Sequence, residues 1–372
     1  MTACRFPQKV VARHLADGEG KPFFWLGDTA WSLIHRTTAA DLELYADTRA
    51  RQRFNVSQIA LLPELDGLRV PNPNGDLPLH DLDPTQPNEA WFRHADAAVS
   101  LLNERGIVAC LLPTWGDKWN QRWGTGPEVF RKPAQARTYG KWLGERYAGA
   151  AVVWMLGGDR KCETDLHRQI IRAMAEGLQA GHGGRHLQTY HPSGSQTSVE
   201  AYGEDPDWLD FHCTQGGHTQ VERSRATLAR GLSQTPKPVL ESEPAYEDHP
   251  RMADDWQSFD GYFTADEVRA QLYRAVLAGS PGVTYGCHPV WQMHDPEKHG
   301  GGKTHPRRSW RDALTLPLAE RVHELREFFE ALPWQELRPA GEDAAETSDG
   351  SVRVTFKSDG PSDSGIAGVI RR

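Results

Sequence analysis

"VVWMLGGDR", residues 152–160, is an apolar run that stops abruptly at two glycines, an acid and a base. Val152 to Leu156 shows no polar–apolar alternation, the pattern of a strand covered on both faces, as in a parallel sheet. Gly157 and Gly158 carry no side chain, so the backbone can turn sharply or approach a neighbour closely there. The strand therefore delivers Asp159 and Arg160 at its exit. Whether Asp159 is a solvated loop residue or a catalytic acid depends on what arrives beside it.

Similar runs recur along the chain, at 23–27, 54–62, 107–113, 186–190, 208–213, 238–242 and 282–286. Amphipathic stretches lie between them, at about 88–105, 137–148, 165–180 and 221–232, while the segment after the fifth run is short and poorly defined. "FTADEVRAQLYRAVLAG" (263–279) opens on Thr264 with Glu267 three positions on, a capping box, and Gly279 stops it. Leu318, Val322, Leu325, Phe329 and Leu332 continue the helical spacing until Pro333. Eight strands alternating with helices predict an α/β fold, a (β/α)8 TIM barrel. The rival, a doubly wound open sheet, usually carries a Gly-rich phosphate turn after its first strand, and "FFWLGDTAW" is not one. The expected division is a catalytic barrel over 1–335 and a short polar C-terminal tail over 336–372, readable as a β-sandwich remnant. The tail holds one strand-like island, Val352–Phe356, and is expected either to dock on the barrel or to stay mobile.

Composition narrows the function classes. The 372 residues are 38% hydrophobic and 25% charged, with a formal net charge of −8. Mild acidity without a Lys/Arg cluster argues against nucleic acid or an anionic membrane as partner. The five cysteines are scattered and form no C-x-x-C pair, so neither a zinc clip nor a disulfide framework is indicated. The first residues lack the apolar core of a signal peptide and no run approaches membrane-spanning length, so a cytoplasmic location is expected. Thirteen Trp point to sites with one apolar face and one wet edge, as in sugar-binding clefts, or simply to a large core. Sixteen His raise a metal reading through His191, His218 and His288, but no H-x-H or H-E-x-x-H occurs, and no cofactor is expected. "HGGGKT" (299–304) resembles the end of a phosphate loop, yet Glu297 occupies the required leading Gly position.

In a barrel the C-terminal strand ends line the active site, and here they are loaded with polar and aromatic residues. Strand one gives Asp28 and Trp31; strand two, Glu64 and Asp66; strand three, Trp115, Asp117, Lys118 and Trp119; strand four, Asp159 and Arg160. Strand five gives His191; strand six, Gln215 and His218; strand seven, Glu241, Glu243 and Tyr246; strand eight, His288 and Trp291. The opposite ends show plain connectors such as "ERGI" and "AGSPGV". Glycosidic hydrolysis needs one carboxyl to protonate the leaving oxygen and another to attack or stabilise the sugar cation. Glu243, held by Pro244 after a buried strand, suits the second role and Asp159 the first; Glu241 shares the strand parity of Glu243, so alternation alone does not choose between them.

"KPFFWLGDTAW" (21–31), "LLPTWGDKW" (111–119), "WMLGGDR" (154–160), "RHLQTYHPSG" (185–194), "DWLDFHCTQGGH" (207–218), "PVLESEPAYEDHP" (238–250) and "YGCHPVWQM" (285–293) resemble the apiosidase-like glycoside hydrolases, glycoside hydrolase family 140. The resemblance spans roughly residues 8–335 and implies a metal-free barrel of the large retaining-glycosidase clan. There the acid/base follows strand four and the nucleophile strand seven, roles that carry over to Asp159 and Glu243. Characterised members hydrolyse apiose linkages in the pectin rhamnogalacturonan II, which makes a pectin-derived oligosaccharide the expected partner. Two departures are visible: Ser242 stands where the family usually reads Gly, and only a short tail follows where a β-sandwich is common. In this reading Trp31, Trp115, Trp119 and Trp291 stack on sugars. Asp28, Glu64, Asp66, Lys118, Arg160, His191, Gln215, His218, Tyr246 and His288 bind hydroxyls or a uronate, with core carbonyls as the alternative role for His218 and His288. A non-catalytic sugar-binding barrel is the competing function.

Overall fold

The computed structural model describes residues 4–205, 207–341, 343–357 and 368–371. Eight parallel strands lead the fold: β1 (Trp25–Thr29), β2 (Val56–Ala60), β3 (Val108–Leu112), β4 (Val152–Leu156), β5 (Gln188–Tyr190), β6 (His212–Gln215), β7 (Val239–Glu243) and β8 (Gly282–Tyr285). Ladder hydrogen bonds run without a break from β5 through β4, β3, β2, β1, β8 and β7 to β6. The remaining seam is closed by single bonds: Asp210 N–H donates to the Gln188 carbonyl (2.9 Å), Gln188 N–H to the Asp210 carboxylate (2.7 Å), and Thr189 Oγ1 to the Phe211 carbonyl (2.6 Å). The predicted (β/α)8 barrel is thus the observed fold.

Helices α1 (Ala39–Arg51), α2 (Glu89–Glu104), α3 (Pro133–Tyr147), α4 (Asp165–His182), α5 (Ser198–Ala201), α6 (Val221–Gln234), α7 (Ala265–Leu277) and α8 (His323–Glu330) ring the sheet. The capping box at Thr264 forms as the spacing predicts: its hydroxyl accepts from Glu267 N–H while the Glu267 carboxylate accepts from Thr264 N–H. The weakly patterned segment after β5 is the single turn α5.

Alternate residues on each strand serve two different cores, which is why these strands read as unbroken apolar runs. Val56, Ala60, Val108, Cys110, Leu112, Val153, Met155, Cys213 and Leu240 fill the barrel interior. Leu26, Ile59, Ala109, Leu111, Val152, Trp154, Val239 and Val283 face the helices. The apolar run at 23–27 divides in two: Pro22–Phe23 joins a small antiparallel sheet with Lys9–Val11 and His14–Ala16, and the barrel strand begins at Trp25. Phe6, Leu15 and Phe23 pack into the interior cluster beside Trp25, so this sheet stoppers the end of the barrel away from the loaded strand ends.

The tail docks. Its island, β11 (Val352–Thr355), is one of four strands, with β9 (Leu337–Pro339), β10 (Ala344–Thr347) and β12 (Gly368–Arg371), paired in that order as an antiparallel sheet. Leu337, Ala345, Val352, Val354 and Phe356 join the helix-side core. Phe356 stacks on Tyr273 of α7 (5.1 Å between centroids), and Arg274 of α7 donates to Asp343 (2.7 Å). Among the described residues no helix is long and apolar enough to cross a membrane.

Candidate active site

A cavity of about 490 Å3 opens at the C-terminal end of the barrel strands. Nine of the sixteen residues singled out from the sequence line it: Asp159, Glu243, Trp31, Glu64, Trp115, Gln215, His218, Tyr246 and Trp291.

Glu243 reaches the cavity through a break in the strand pattern. On β7, Val239 points outward and Leu240 inward, so strict alternation sends Glu241 and Glu243 outward together. Glu241 does go outward: it accepts from Ser224 Oγ of α6 (2.8 Å), Thr214 Oγ1 (3.1 Å) and Gly216 N–H (3.1 Å), fully buried. Between Glu241 and Glu243 the ladder to β6 slips by one residue: Thr214 pairs with Glu241, but Gln215 pairs with Glu243. This bulge turns Glu243 into the barrel mouth, a re-aiming that bulges beside active sites commonly perform. The structure thus separates the two acids that sequence parity leaves equivalent.

Three polar side chains receive the Glu243 carboxylate. Gln215 Nε2 donates to Oε1 (2.8 Å) and His218 Nε2 lies 3.2 Å from the same oxygen. His191 Nε2 sits 3.0 Å from Oε2 but off the hydrogen-bonding axis, so that oxygen has no well-aligned partner. Burial works to raise the carboxyl's proton affinity, but the two imidazoles outweigh it and hold Glu243 well below the usual carboxylate range.

Asp159 is carried by a turn whose geometry needs the two glycines. Gly157, Gly158 and Asp159 all adopt positive φ (96°, 76° and 60°). A Cβ on Gly158 would meet the Gly116 nitrogen at 2.7 Å, and one on Gly157 the His191 carbonyl at 2.3 Å. Trp119 Nε1 donates to the Gly157 carbonyl (3.1 Å), pinning the turn from beneath. Asp159 N–H donates to His191 Nδ1 (3.1 Å), which leaves the proton of a neutral ring on Nε2, facing Glu243. One imidazole therefore spans the gap from the backbone of Asp159 to the carboxylate of Glu243. Burial first, then the Glu243 charge, pushes the Asp159 carboxyl up to about 6, although 24% of the side chain meets solvent through the cavity. Glu64, on the same wall, is pushed up to about 8 by burial and by Asp159 and Asp117.

Seven of the singled-out residues stand outside the cavity lining, for specific reasons. Asp28 follows the outward parity of β1 and meets Tyr45 Oη and Arg49 Nε of α1, each at 2.7 Å, in a fully buried cluster. Asp66 pairs with Arg69 (2.7 Å) at the surface. Lys118 is fully buried against Asp117 (2.7 Å), and Trp119 is core. Arg160 is spent on the carbonyls of Asn120, Asp159 and Trp123, with its guanidinium 3.8 Å from the Trp123 ring centroid. His288 Nε2 contacts the Thr304 carbonyl (2.8 Å) and its Nδ1 accepts from Trp291 Nε1 (3.2 Å). His191 lies behind the wall, its ring edge-on to Trp31 (5.3 Å). Sequence reading missed Trp123, Ser193, His249, Trp256, Lys303 and Thr304 on the lining. Ser193 stands three residues past β5, and the others sit further along the loops after their strands; only the exposed indoles of Trp123 (43%) and Trp256 (51%) left a compositional trace.

Residues 11–336 match the family model "Apiosidase-like, catalytic domain". A solved structure described as a glycoside hydrolase is 26% identical, with a TM-score of 0.80 over 94% of this chain and 83% of that one. A Bacteroides vulgatus glycoside hydrolase of family 5 is also 26% identical, with a TM-score of 0.82 over 94% of this chain and 80% of its own. An endo-β-1,4-mannanase from Thermotoga petrophila, 14% identical with a TM-score of 0.55 over 84% of this chain and 78% of that one, shares the fold. A comparison with curated protein sequences finds no match. With the family model covering the whole barrel and a carboxyl-lined cavity at its mouth, the chain belongs to the apiosidase-like family and is a glycoside hydrolase.

Proposed function

We propose that the protein is a retaining glycosidase acting on pectin-derived oligosaccharides, with Glu243 as nucleophile and Asp159 as acid/base. The observation that supports this best is the opposite displacement of two carboxyls sharing one cavity: Glu243 is held ionised and Asp159 pushed up to about 6. Divergent proton affinities of that kind assign acid and base roles. Glu243 Oε2, without an aligned hydrogen bond, keeps a lone pair for the anomeric carbon while Gln215 and His218 hold Oε1. Asp159 gives its proton to the leaving oxygen, then takes one from the water that resolves the glycosyl-enzyme. Trp31 and Trp115, tilted together at 5.2 Å between centroids, offer an apolar floor for a sugar ring.

The test is turnover on a panel of apiose-, arabinose- and galacturonate-containing oligosaccharides, with Glu243→Gln alongside. The reading expects cleavage of a glycosidic bond in the panel by the native protein and a loss of at least about 10³-fold in the variant with sugar affinity retained. Sugar binding with no turnover by the native protein would instead support a non-catalytic binder.

A further inference from the structure

The "HGGGKT" segment, dismissed as a nucleotide loop, lies at the cavity: Lys303 and Thr304 are part of its lining. Its backbone is held there by two fully buried side chains that follow β8. Gln292 clamps Lys303 from both sides, Oε1 accepting its N–H (2.8 Å) and Nε2 donating to its carbonyl (3.0 Å). His288 Nε2 meets the next carbonyl, that of Thr304 (2.8 Å). Thr304 and His305 both sit at positive φ (57° and 55°), a conformation that non-glycine residues keep only when the surroundings impose it. Such a clamp positions Lys303 while leaving the residue exposed, with no ion pair within 4 Å among the described residues and with Glu64 of the cavity wall as a carboxyl its charge acts on.

The charge around it gives this lysine a role. The lining carries three carboxyls, Asp159, Glu243 and Glu64, and among the described residues Lys303 is its one Lys or Arg. The other two cations expected at the mouth are consumed behind the lining, Lys118 by Asp117 and Arg160 by three carbonyls and, at 3.7 Å, the Asp159 carboxylate. The loop does not lead into a long helix of the kind that helps hold a dianion, since the next helix along the chain begins only at Trp310 and is one turn long. A single cation among acids matches a single negative charge, that of a sugar carboxylate, better than a phosphate.

We propose that Lys303 is a specificity-determining residue, an ammonium clamped into the cavity wall by Gln292 and His288 to receive the carboxylate of a uronate residue in the substrate. The proposal rests on the glycosidase reading for its substrate class, but its test reads binding alone. Trigalacturonate and its methyl ester are titrated by calorimetry into Glu243→Gln protein, with and without Lys303→Met or Lys303→Arg. The expected result is tighter binding of the acid than of the ester, by about two- to fivefold at low salt, as for a solvent-exposed ion pair. That preference should be lost in Lys303→Met, kept in Lys303→Arg, and eroded by salt. Equal binding of acid and ester, a preference that survives Lys303→Met, or binding of neither form would overturn the proposal. Failure of turnover on the oligosaccharide panel, with this preference intact, would overturn the glycosidase roles and leave the lysine's role standing.

Discussion

At the residue scale, the account turns on where two protons sit. Asp159 must be protonated to act as an acid, and its carboxyl is pushed up to about 6. Activity is therefore expected to fall as pH rises through about 6, while the acid limb is set by Glu243 and lies much lower. A pH profile of kcat/KM on Asp159→Asn should lose the alkaline limb and show a drop of about 10²–10⁴-fold. Glu241 offers a contrast, because burial pushes it up to about 7 although it faces α6. A carboxyl raised on folding stabilises most below its unfolded value, and that contribution is lost as pH climbs through the folded one. Glu241→Gln mimics the protonated form, so urea denaturation should show it more stable than the native protein at pH 8, by about 3 kcal/mol, with little difference near pH 4. Turnover should remain. Glu241 and Glu243 also mark how far the sequence could be read. Their chemistry was legible in the residue types and strand ends, but the bulge that separates them is a property of the ladder with β6, which no local pattern announces.

At the scale of elements, strand parity and the packing of the loops explain where the structure departs from the sequence reading. Asp28 is polar and sits near a strand exit, yet its outward parity sends it to Tyr45 and Arg49. Lys118 and Arg160 look like substrate-binding cations in the sequence and stand behind the lining as struts, Lys118 on Asp117 of its own loop and Arg160 on the carbonyls of Asn120 and Trp123 in the loop after β3. The strands themselves were legible because two-sided burial removes alternation; the division of 23–27 into two sheets was not, because both halves are buried alike. The exit of β8 provides a direct check. A Cβ on Gly286 would fall 1.8 Å from the Tyr246 ring on the cavity wall. Gly286→Ala is therefore expected to push that ring aside, costing about 1–3 kcal/mol in denaturant unfolding and lowering kcat/KM with it.

At the scale of the whole molecule, the tail belongs to the folded unit. Its composition is polar, yet alternate residues along β10 and β11 supply an apolar face that meets α7. Phe356→Ala is expected to cost about 3 kcal/mol by thermal or urea unfolding while leaving kcat unchanged, since the ring is buried against α7 and is not part of the cavity lining. The barrel's closure is what brings a carboxyl from β4 and one from β7 to a single space, with His191 of the β5 exit between them. The most direct measurement of that convergence is the anomeric configuration of glycosyl azide formed when azide rescues Asp159→Gly and Glu243→Gly on an aryl glycoside. If Glu243 attacks and Asp159 serves as acid/base, the Asp159 variant yields the azide of retained configuration and the Glu243 variant that of inverted configuration. The same configuration from both variants, or rescue confined to Glu241→Gly, would contradict the account.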